Sequence, residues 1–62
     1  MNFNLAKLFA TNGDKERAIS YLYKAVDEGF KDLEKIKTEP AFALLAEDTR
    51  YQQLIDTMLT PR

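Results

Sequence analysis

The sequence predicts an all-α fold, and three observations lead to this prediction. Apolar residues recur at the three- and four-residue intervals that place side chains on one face of a helix. Glycine or proline interrupts these patterns at Gly13, Gly29 and Pro40. No stretch alternates apolar and polar residues for long enough to predict a β-strand. The 62 residues therefore predict one small helical domain.

The first predicted helix runs from about residue 2 to residue 12. Leu5, Leu8 and Phe9 follow the spacing of one helical face. Gly13 supplies the left-handed residue that closes such a helix. The Asn-Gly pair at this point is also a hairpin signal, but its flanks carry the helical period and therefore favour a helix end.

The second predicted helix, residues 14–28, has the clearest amphipathic pattern of the chain. Asp14 is a residue type that caps helices, because its carboxylate accepts hydrogen bonds from free backbone N–H groups. Gly29 ends the helix as Gly13 ends the first. The apolar positions are Ala18, Ile19, Leu22, Ala25 and Val26. Only about two residues separate the two helices, which makes them antiparallel neighbours.

The second half of the chain predicts two or three shorter helices. One covers about residues 32–36, and two more begin at Glu39 and Asp48. Each of these two acidic residues is followed three positions later by an aromatic residue, Phe42 or Tyr51. The predicted core combines the buried faces of all the helices: Leu5, Phe9, Ala18, Ile19, Leu22, Ala25, Phe30, Ile36, Phe42, Leu45, Tyr51 and Leu54.

Composition argues against several classes of function. Nine Lys and Arg oppose ten Asp and Glu, so a partner that is a nucleic acid or a membrane is not expected. The chain has no His and no Cys, which excludes disulfides, thiol catalysis and the usual structural zinc sites. No apolar run approaches the roughly 20 residues of a membrane span. The first residues do not resemble a secretory signal, so we expect a cytoplasmic protein.

Carboxylates are plentiful, but their positions predict structural roles. Asp14, Glu39 and Asp48 are predicted helix caps, and the others alternate with lysines as surface charge. No motif frames a nucleophile beside a base, and the spacing of a calcium-binding loop is absent. We therefore expect a protein that is not an enzyme and that has no cofactor or metal site.

The first half of the chain carries the pattern Leu5-Ala6-x-x-Phe9-x-x-x-Gly13-Asp14-x-x-x-Ala18-Ile19-x-x-Leu22-x-x-Ala25. It resembles a tetratricopeptide repeat, a helix–turn–helix of about 34 residues with small residues where the helices cross. The chain departs from the family at two positions: Asn2 stands in place of the usual Trp, and Phe30 in place of the closing Pro. The resemblance implies one repeat over residues 1–30.

The second half carries the pattern Gly29-Phe30-x-Asp32-Leu33-x-x-Ile36-x-x-Glu39-Pro40-x-Phe42-x-x-Leu45-x-x-Asp48-x-Arg50-Tyr51-x-x-Leu54. It is similar to the segment that ends many bacterial tetratricopeptide arrays. This resemblance implies that residues 31–62 form short helices that cap the repeat, and that residues 1–62 are a single domain.

The resemblance also implies a non-catalytic protein–protein interaction module that docks a peptide or a partner protein, or stacks on other repeats. In this family the first helix of a repeat lines a concave face that grips peptides. That role implies partner contacts for Phe3, Lys7, Ala10 and Thr11, with Lys7 as the cation for a peptide carboxylate. The alternative is that these residues form a solvated face. One repeat offers only part of a groove, because such surfaces are built by stacking.

A second interpretation is a self-contained structural domain that acts as a homodimer without a peptide ligand. Met1, Phe3 and Leu8 lie on the outer side of the first predicted helix, which the C-terminal helices are not expected to cover. An exposed apolar cluster of this kind marks a contact surface, and a two-fold interface needs only one such patch. The competing arrangement is a monomer in which residues 51–59 fold back over that side.

Overall fold

The computed structural model describes residues 2–60, which form five helices and no strand. The helices are α1 (Asn2–Thr11), α2 (Lys15–Asp27), α3 (Leu33–Thr38), a 3₁₀ helix (Pro40–Leu45) and α4 (Thr49–Leu59). The predicted all-α class is confirmed, with a helix pair followed by two six-residue helices and an eleven-residue helix, α4.

The first two helices form an antiparallel hairpin. The Asn2 side chain at the start of α1 donates a hydrogen bond of 2.6 Å to the Glu28 carboxylate just beyond the end of α2. Ala6, Ala10 and Ala18 are completely buried in this region of the core. Because only methyl groups project from these positions, the two helices can approach closely.

Each helix of the hairpin ends in a hydrogen-bonded turn that needs a glycine. At the end of α1, the Gly13 N–H donates to the carbonyl of Ala10 at 3.0 Å. The Asp14 N–H donates to the carbonyl of Phe9 at 2.9 Å. This pair of bonds is the Schellman motif, whose glycine takes a positive φ of 84° here. Gly29, at φ 111°, closes α2 with the same pattern, so both predicted helix ends are confirmed.

An acidic side chain caps the N-terminus of each helix after α1. The caps and the N–H groups that donate to them are Asp14 with Arg17, Asp32 with Lys35, Glu39 with Ala41, and Asp48 with Arg50, at 2.9–3.5 Å. Each carboxylate therefore satisfies a backbone donor that the helix itself leaves unpaired. The predicted caps Asp14, Glu39 and Asp48 are confirmed.

The core lies between the hairpin and the three C-terminal helices. Its largest fully buried side chains are Leu22, Ile36, Phe42, Leu45 and Leu54, all of them predicted core residues. The other buried members are Phe3, Ala6, Ala10, Ala18, Ile19, Ala25 and Tyr51. Within residues 2–60 no buried side-chain polar atom lacks a hydrogen-bond partner.

The rotation of α1 differs from the prediction. The helix buries Phe3, Ala6 and Ala10, whereas the predicted core residue Leu5 is 37% exposed and Phe9 is only half-buried. Helix α1 packs against both α2 and the 3₁₀ helix, and the small side chains of its buried face let these segments approach closely. Phe30, a further predicted core residue, is also half-buried.

The C-terminal helices cover more of the hairpin than the sequence predicts. The 3₁₀ helix packs on α1, α2 and α3. Helix α4 makes its main helix contact with α2 and does not fold back over the outer side of α1. Because the 3₁₀ helix packs on α1, some of the residues predicted to contact a partner are buried.

Candidate interaction surface

The residues predicted to contact a peptide lie mostly on the covered side of α1. Phe3 and Ala10 are 8% and 0% exposed, and Lys7 is half-buried. The predicted groove requires these side chains to face solvent together, so this placement is a correction. The physical reason is that the 3₁₀ helix packs against this side of α1. A peptide could contact Phe3 and Ala10 only after the C-terminal helices had moved away.

Lys7 has an acidic partner within the chain. Its Nζ lies 3.5 Å from Oε2 of Glu39, which is the residue that caps the 3₁₀ helix. The Lys7 and Glu39 side chains are 37% and 20% exposed, so the pair contributes at most about 1 kcal/mol. The lysine predicted to pair with a peptide carboxylate therefore pairs with a carboxylate of its own C-terminal segment.

Phe3 is part of an aromatic cluster that joins three segments. Its ring stacks on Phe30 with 4.7 Å between ring centroids and meets Phe42 edge-on at 5.6 Å. The Lys35 ammonium lies 5.6 Å from the centroid of the same ring. These are favourable aromatic geometries, and they make Phe3 a core residue. Phe3 was expected to be exposed, either to contact a peptide or to contact a second copy of the chain. That expected exposure is wrong.

The remaining predicted contact residues have different surroundings. Thr11 is exposed, and its hydroxyl donates to the Lys7 carbonyl at 2.9 Å, a common local bond within a helix. Leu8 is 54% exposed. Met1 lies outside the described residues. Of the predicted self-association cluster, Leu8 is thus the member that the structure places at the surface.

An apolar strip of the hairpin lies beside the buried core and keeps access to solvent. We call it the outer strip, and it consists of Leu5, Leu8, Phe9 and Tyr21. Leu5 and Leu8 are 37% and 54% exposed, and the two aromatic residues are half-buried. Both leucines are among the large apolar side chains that stay exposed within residues 2–60. Exposed apolar groups that lie together in this way mark a contact surface.

The two rings of the outer strip lie between two cations. Phe9 and Tyr21 stack nearly parallel, with 5.4 Å between their centroids and 6° between their planes. The Arg17 guanidinium carbon lies 5.7 Å from the Phe9 centroid, and the Lys24 ammonium lies 5.0 Å from the Tyr21 centroid. Contacts of this type link α1 to α2 and give the strip a positively charged border on α2.

Sequence reasoning missed this border, although the sequence contains a signal for it. Arg17, Tyr21 and Lys24 are spaced four and three residues apart, which places them on one face of a helix. That face is distinct from the one that contains Leu22, so the apolar periodicity of α2 does not reveal it.

A shallow groove between α2 and α4 is a second candidate site. Its volume is about 490 Å³, and its lining residues are Tyr23, Lys24, Val26, Asp27, Leu54 and Thr57. Tyr23 is 40% exposed, and its hydroxyl donates to the Arg50 carbonyl at 3.1 Å. The groove is open to solvent, unlike the enclosed, mostly apolar pockets that hold small molecules.

Three pKa values are shifted at the start of α4. The side-chain hydrogen bonds from Arg50 to Asp48, at 3.0 and 3.2 Å, hold the pKa of Asp48 below its ordinary value. The same contact raises the pKa of Arg50. Burial raises the pKa of Tyr51, because a phenolate is poorly solvated there. These groups have clear structural roles, as a helix cap and a core residue.

The structure shows no gathering of acidic side chains that suits a metal. Within residues 2–60 no group of three or more carboxylates could hold a metal ion. None of the helices formed by these residues has both the length and the apolar character needed to cross a membrane.

Comparisons with known proteins leave the family open. No model of a protein family matches the sequence, and neither curated proteins nor solved structures provide a match. The resemblance to tetratricopeptide repeats therefore stays a hypothesis that rests on the residue pattern.

Proposed function

We propose that the chain is a non-catalytic protein–protein interaction module of the tetratricopeptide type, with the outer strip as its contact surface. The observation that carries this proposal is the exposure of Leu5 and Leu8 beside the half-buried Phe9 and Tyr21. Interfaces commonly centre on aromatic and aliphatic side chains of this kind. The partner is a protein or a helical repeat in the cytoplasm, and neither nucleic acid nor membrane is involved.

The geometry of the hairpin supports the repeat interpretation. Ala6 and Ala18 are fully buried in the hairpin, as the residue pattern of a repeat requires. Leu5 and Phe9 occupy positions of the same pattern, yet both retain access to solvent. In a stacked array a neighbouring unit buries the face that a single repeat leaves open. A contact through the outer strip would therefore complete the packing of this hairpin.

A photo-crosslinking experiment tests the proposal. Benzoylphenylalanine replaces Leu8 in the full chain, and the labelled protein is irradiated in lysate of the source organism. The matched control carries the same group at Leu44, which is also 54% exposed but lies on the 3₁₀ helix. We expect a discrete crosslinked protein from position 8 only. Equal labelling from both positions, or labelling from position 44 alone, contradicts the proposal.

A second experiment separates contact from folding. We expect Leu5→Glu combined with Leu8→Glu to abolish the crosslink to a probe at Phe9. The melting temperature should change little, because surface substitutions usually shift stability by no more than about 0.5 kcal/mol each. Loss of the fold in this variant would mean that the two leucines belong to the core.

The alternative function is a structural domain that acts as a homodimer. The observation in its favour is that α1 presents no charged group on the outer strip, because Lys7 pairs with Glu39 on the covered side. Two copies can therefore meet through Leu5 and Leu8 without repulsion between charges of α1. Light scattering at two concentrations tests this alternative, and a monomer mass at millimolar protein rejects it.

A further inference from the structure

We infer that the outer strip accepts an amphipathic helix whose apolar side is bordered by carboxylates. This inference rests on the proposed function, and it adds the chemistry of the partner. The charges around Leu5, Leu8, Phe9 and Tyr21 determine which partner fits the strip.

The α1 side of the strip is uncharged. Lys7 is the one charged residue among positions 2–11, and its ammonium lies 3.5 Å from the Glu39 carboxylate on the opposite side of the helix. Leu5 and Leu8 are therefore available for apolar contact without a charge on α1 that would have to lose its water.

The α2 side of the strip carries two cations, Arg17 in the first turn of the helix and Lys24 in its last turn. Arg17 and Lys24 lie beside the two rings and are seven residues apart, which is two helical turns or about 10.5 Å. The Arg17 side chain is 69% exposed even though it lies 3.7 Å from the Asp14 carboxylate. Carboxylates on a bound helix that are spaced two turns apart would meet both cations.

The acidic groups on this side of α2 lie at its two ends and are already engaged. Asp14 caps the helix by accepting a hydrogen bond from the backbone N–H of Arg17 at 3.2 Å. Glu28 accepts a hydrogen bond of 2.6 Å from the Asn2 side chain. Between these two engaged carboxylates, the charged groups that border the rings are Arg17 and Lys24. They favour a negative border on the partner, since complementary potentials meet across an interface.

A second copy of the chain is a poorer match for the whole strip. An antiparallel two-fold contact centred on Tyr21 would bring Arg17 of one copy towards Lys24 of the other. A two-fold axis parallel to the helices would bring each cation towards its own counterpart. Both arrangements oppose like charges, which disfavours association.

A titration with two designed peptides tests the inference. Both peptides are amphipathic helices of about five turns with the same leucine stripe. The acidic peptide has glutamates two turns apart along one edge of the stripe, and the control has lysines there. Amide shifts of the ¹⁵N-labelled full chain are followed by NMR at low salt. We expect the acidic peptide to shift amides of the outer strip and to bind on the order of tenfold more tightly than the control.

Matched variants assign the preference to the two cations. We expect Arg17→Gln combined with Lys24→Gln to remove the preference for the acidic peptide. Lys31→Gln combined with Lys37→Gln changes the net charge by the same amount and should leave the preference intact. Loss of the preference in both double variants would show that only total charge matters, and would overturn the inference.

Other outcomes distinguish this inference from the proposed function. Equal binding of both peptides at the outer strip overturns the acidic border but leaves the contact surface standing. No shift in the strip with either peptide counts against both proposals. Shifts of the same amides when the protein alone is concentrated would identify a second copy as the occupant and overturn the inference.

Discussion

Three alanines of the hairpin occupy completely buried positions. Ala6, Ala10 and Ala18 are each 0% exposed, so a larger side chain at any of them would have to displace the residues packed around it. At the residue scale, the fold therefore depends on small side chains in the hairpin as much as on the large ones that fill the core.

Replacement of Ala18 by leucine tests this dependence. We expect the free energy of unfolding to fall by roughly 1–3 kcal/mol, because the added atoms overpack a completely buried position. Urea melts followed by circular dichroism provide the measurement. Ser20→Leu introduces the same side chain at an exposed position of α2 and should cost far less. A neutral result for Ala18→Leu would mean that this face of α2 is not packed.

The contact between Asp48 and Arg50 predicts acid sensitivity. The hydrogen bonds from Arg50 lower the pKa of Asp48 in the folded protein, whereas the unfolded group titrates near 3.8. The stability that this contact contributes is therefore fully present above pH 3.8 and is lost as the pH falls through the lower folded pKa. We expect the melting temperature to decrease across that range.

An asparagine variant provides the control for this pH dependence. Asp48→Asn retains an oxygen that can cap α4 but cannot titrate or pair with Arg50 as an ion. Its melting temperature should decrease less steeply with acid than that of the original protein. Identical slopes for the two proteins would show that another group governs the acid response.

At the scale of the element, α1 has two faces that could each be apolar. One contains Phe3, Ala6 and Ala10, and the other contains Leu5 and Leu8. Hydrophobic periodicity favours the face with the larger residues, and that prediction was wrong for Leu5. The neighbouring elements decide the outcome, because small side chains such as those of Ala6 and Ala10 let other segments pack closely against that face.

The positive φ of Gly13, which ends α1, predicts that L- and D-residues at this position affect stability differently. Gly13 has a φ of 84°, and an added Cβ would meet no heavy atom within 4 Å, so a substitution there acts through the backbone alone. We expect L-alanine to destabilise the domain by about 1–2 kcal/mol.

D-alanine at the same position provides the matched comparison, because its preferred φ is positive. It should stabilise the domain by about 0.4–1 kcal/mol through a less flexible unfolded chain. Both proteins are accessible by chemical synthesis of the 62 residues and can be compared in urea melts. Equal effects of the two forms would contradict the left-handed geometry of this turn.

At the scale of the whole molecule, the hairpin and the C-terminal helices stabilise one another. Phe3 of α1 packs against Phe42 of the 3₁₀ helix, and Leu22 of α2 lies in the same core as Leu45 and Leu54. A chain of 62 residues has a total stability of about 3–9 kcal/mol, so it cannot lose a large part of this core and remain folded.

Truncation of Phe42 tests whether the domain folds as one unit. Phe42→Ala should cost about 3–5 kcal/mol, a large share of the total, and should expose the amides of α1 and α2 as well as those of the 3₁₀ helix. Hydrogen exchange measures this loss residue by residue. Leu44→Ala, at a position 54% exposed, should leave protection unchanged. Continued protection of α1 and α2 in Phe42→Ala would show that the hairpin folds alone.

The parts of the fold that depend on neighbours in sequence were predictable. Helix ends at Gly13 and Gly29 and helix starts at Asp14 and Asp48 are set by bonds between residues at most five positions apart. Most of the core residues were also predictable from the sequence. The apolar residues of α2 define one face of that helix clearly, and so does the spacing of the apolar residues from Phe42 onwards.

Only the tertiary structure decided which side of α1 is buried and which of its apolar side chains stay exposed. The 3₁₀ helix covers Phe3 and brings Glu39 to Lys7, contacts between residues far apart in the chain that no local pattern specifies. The same packing leaves Leu8 open on the opposite side of α1. The sequence by itself determined that helices form and where they end, because caps and turns are local, whereas the exposed apolar surface depends on how those helices cover one another.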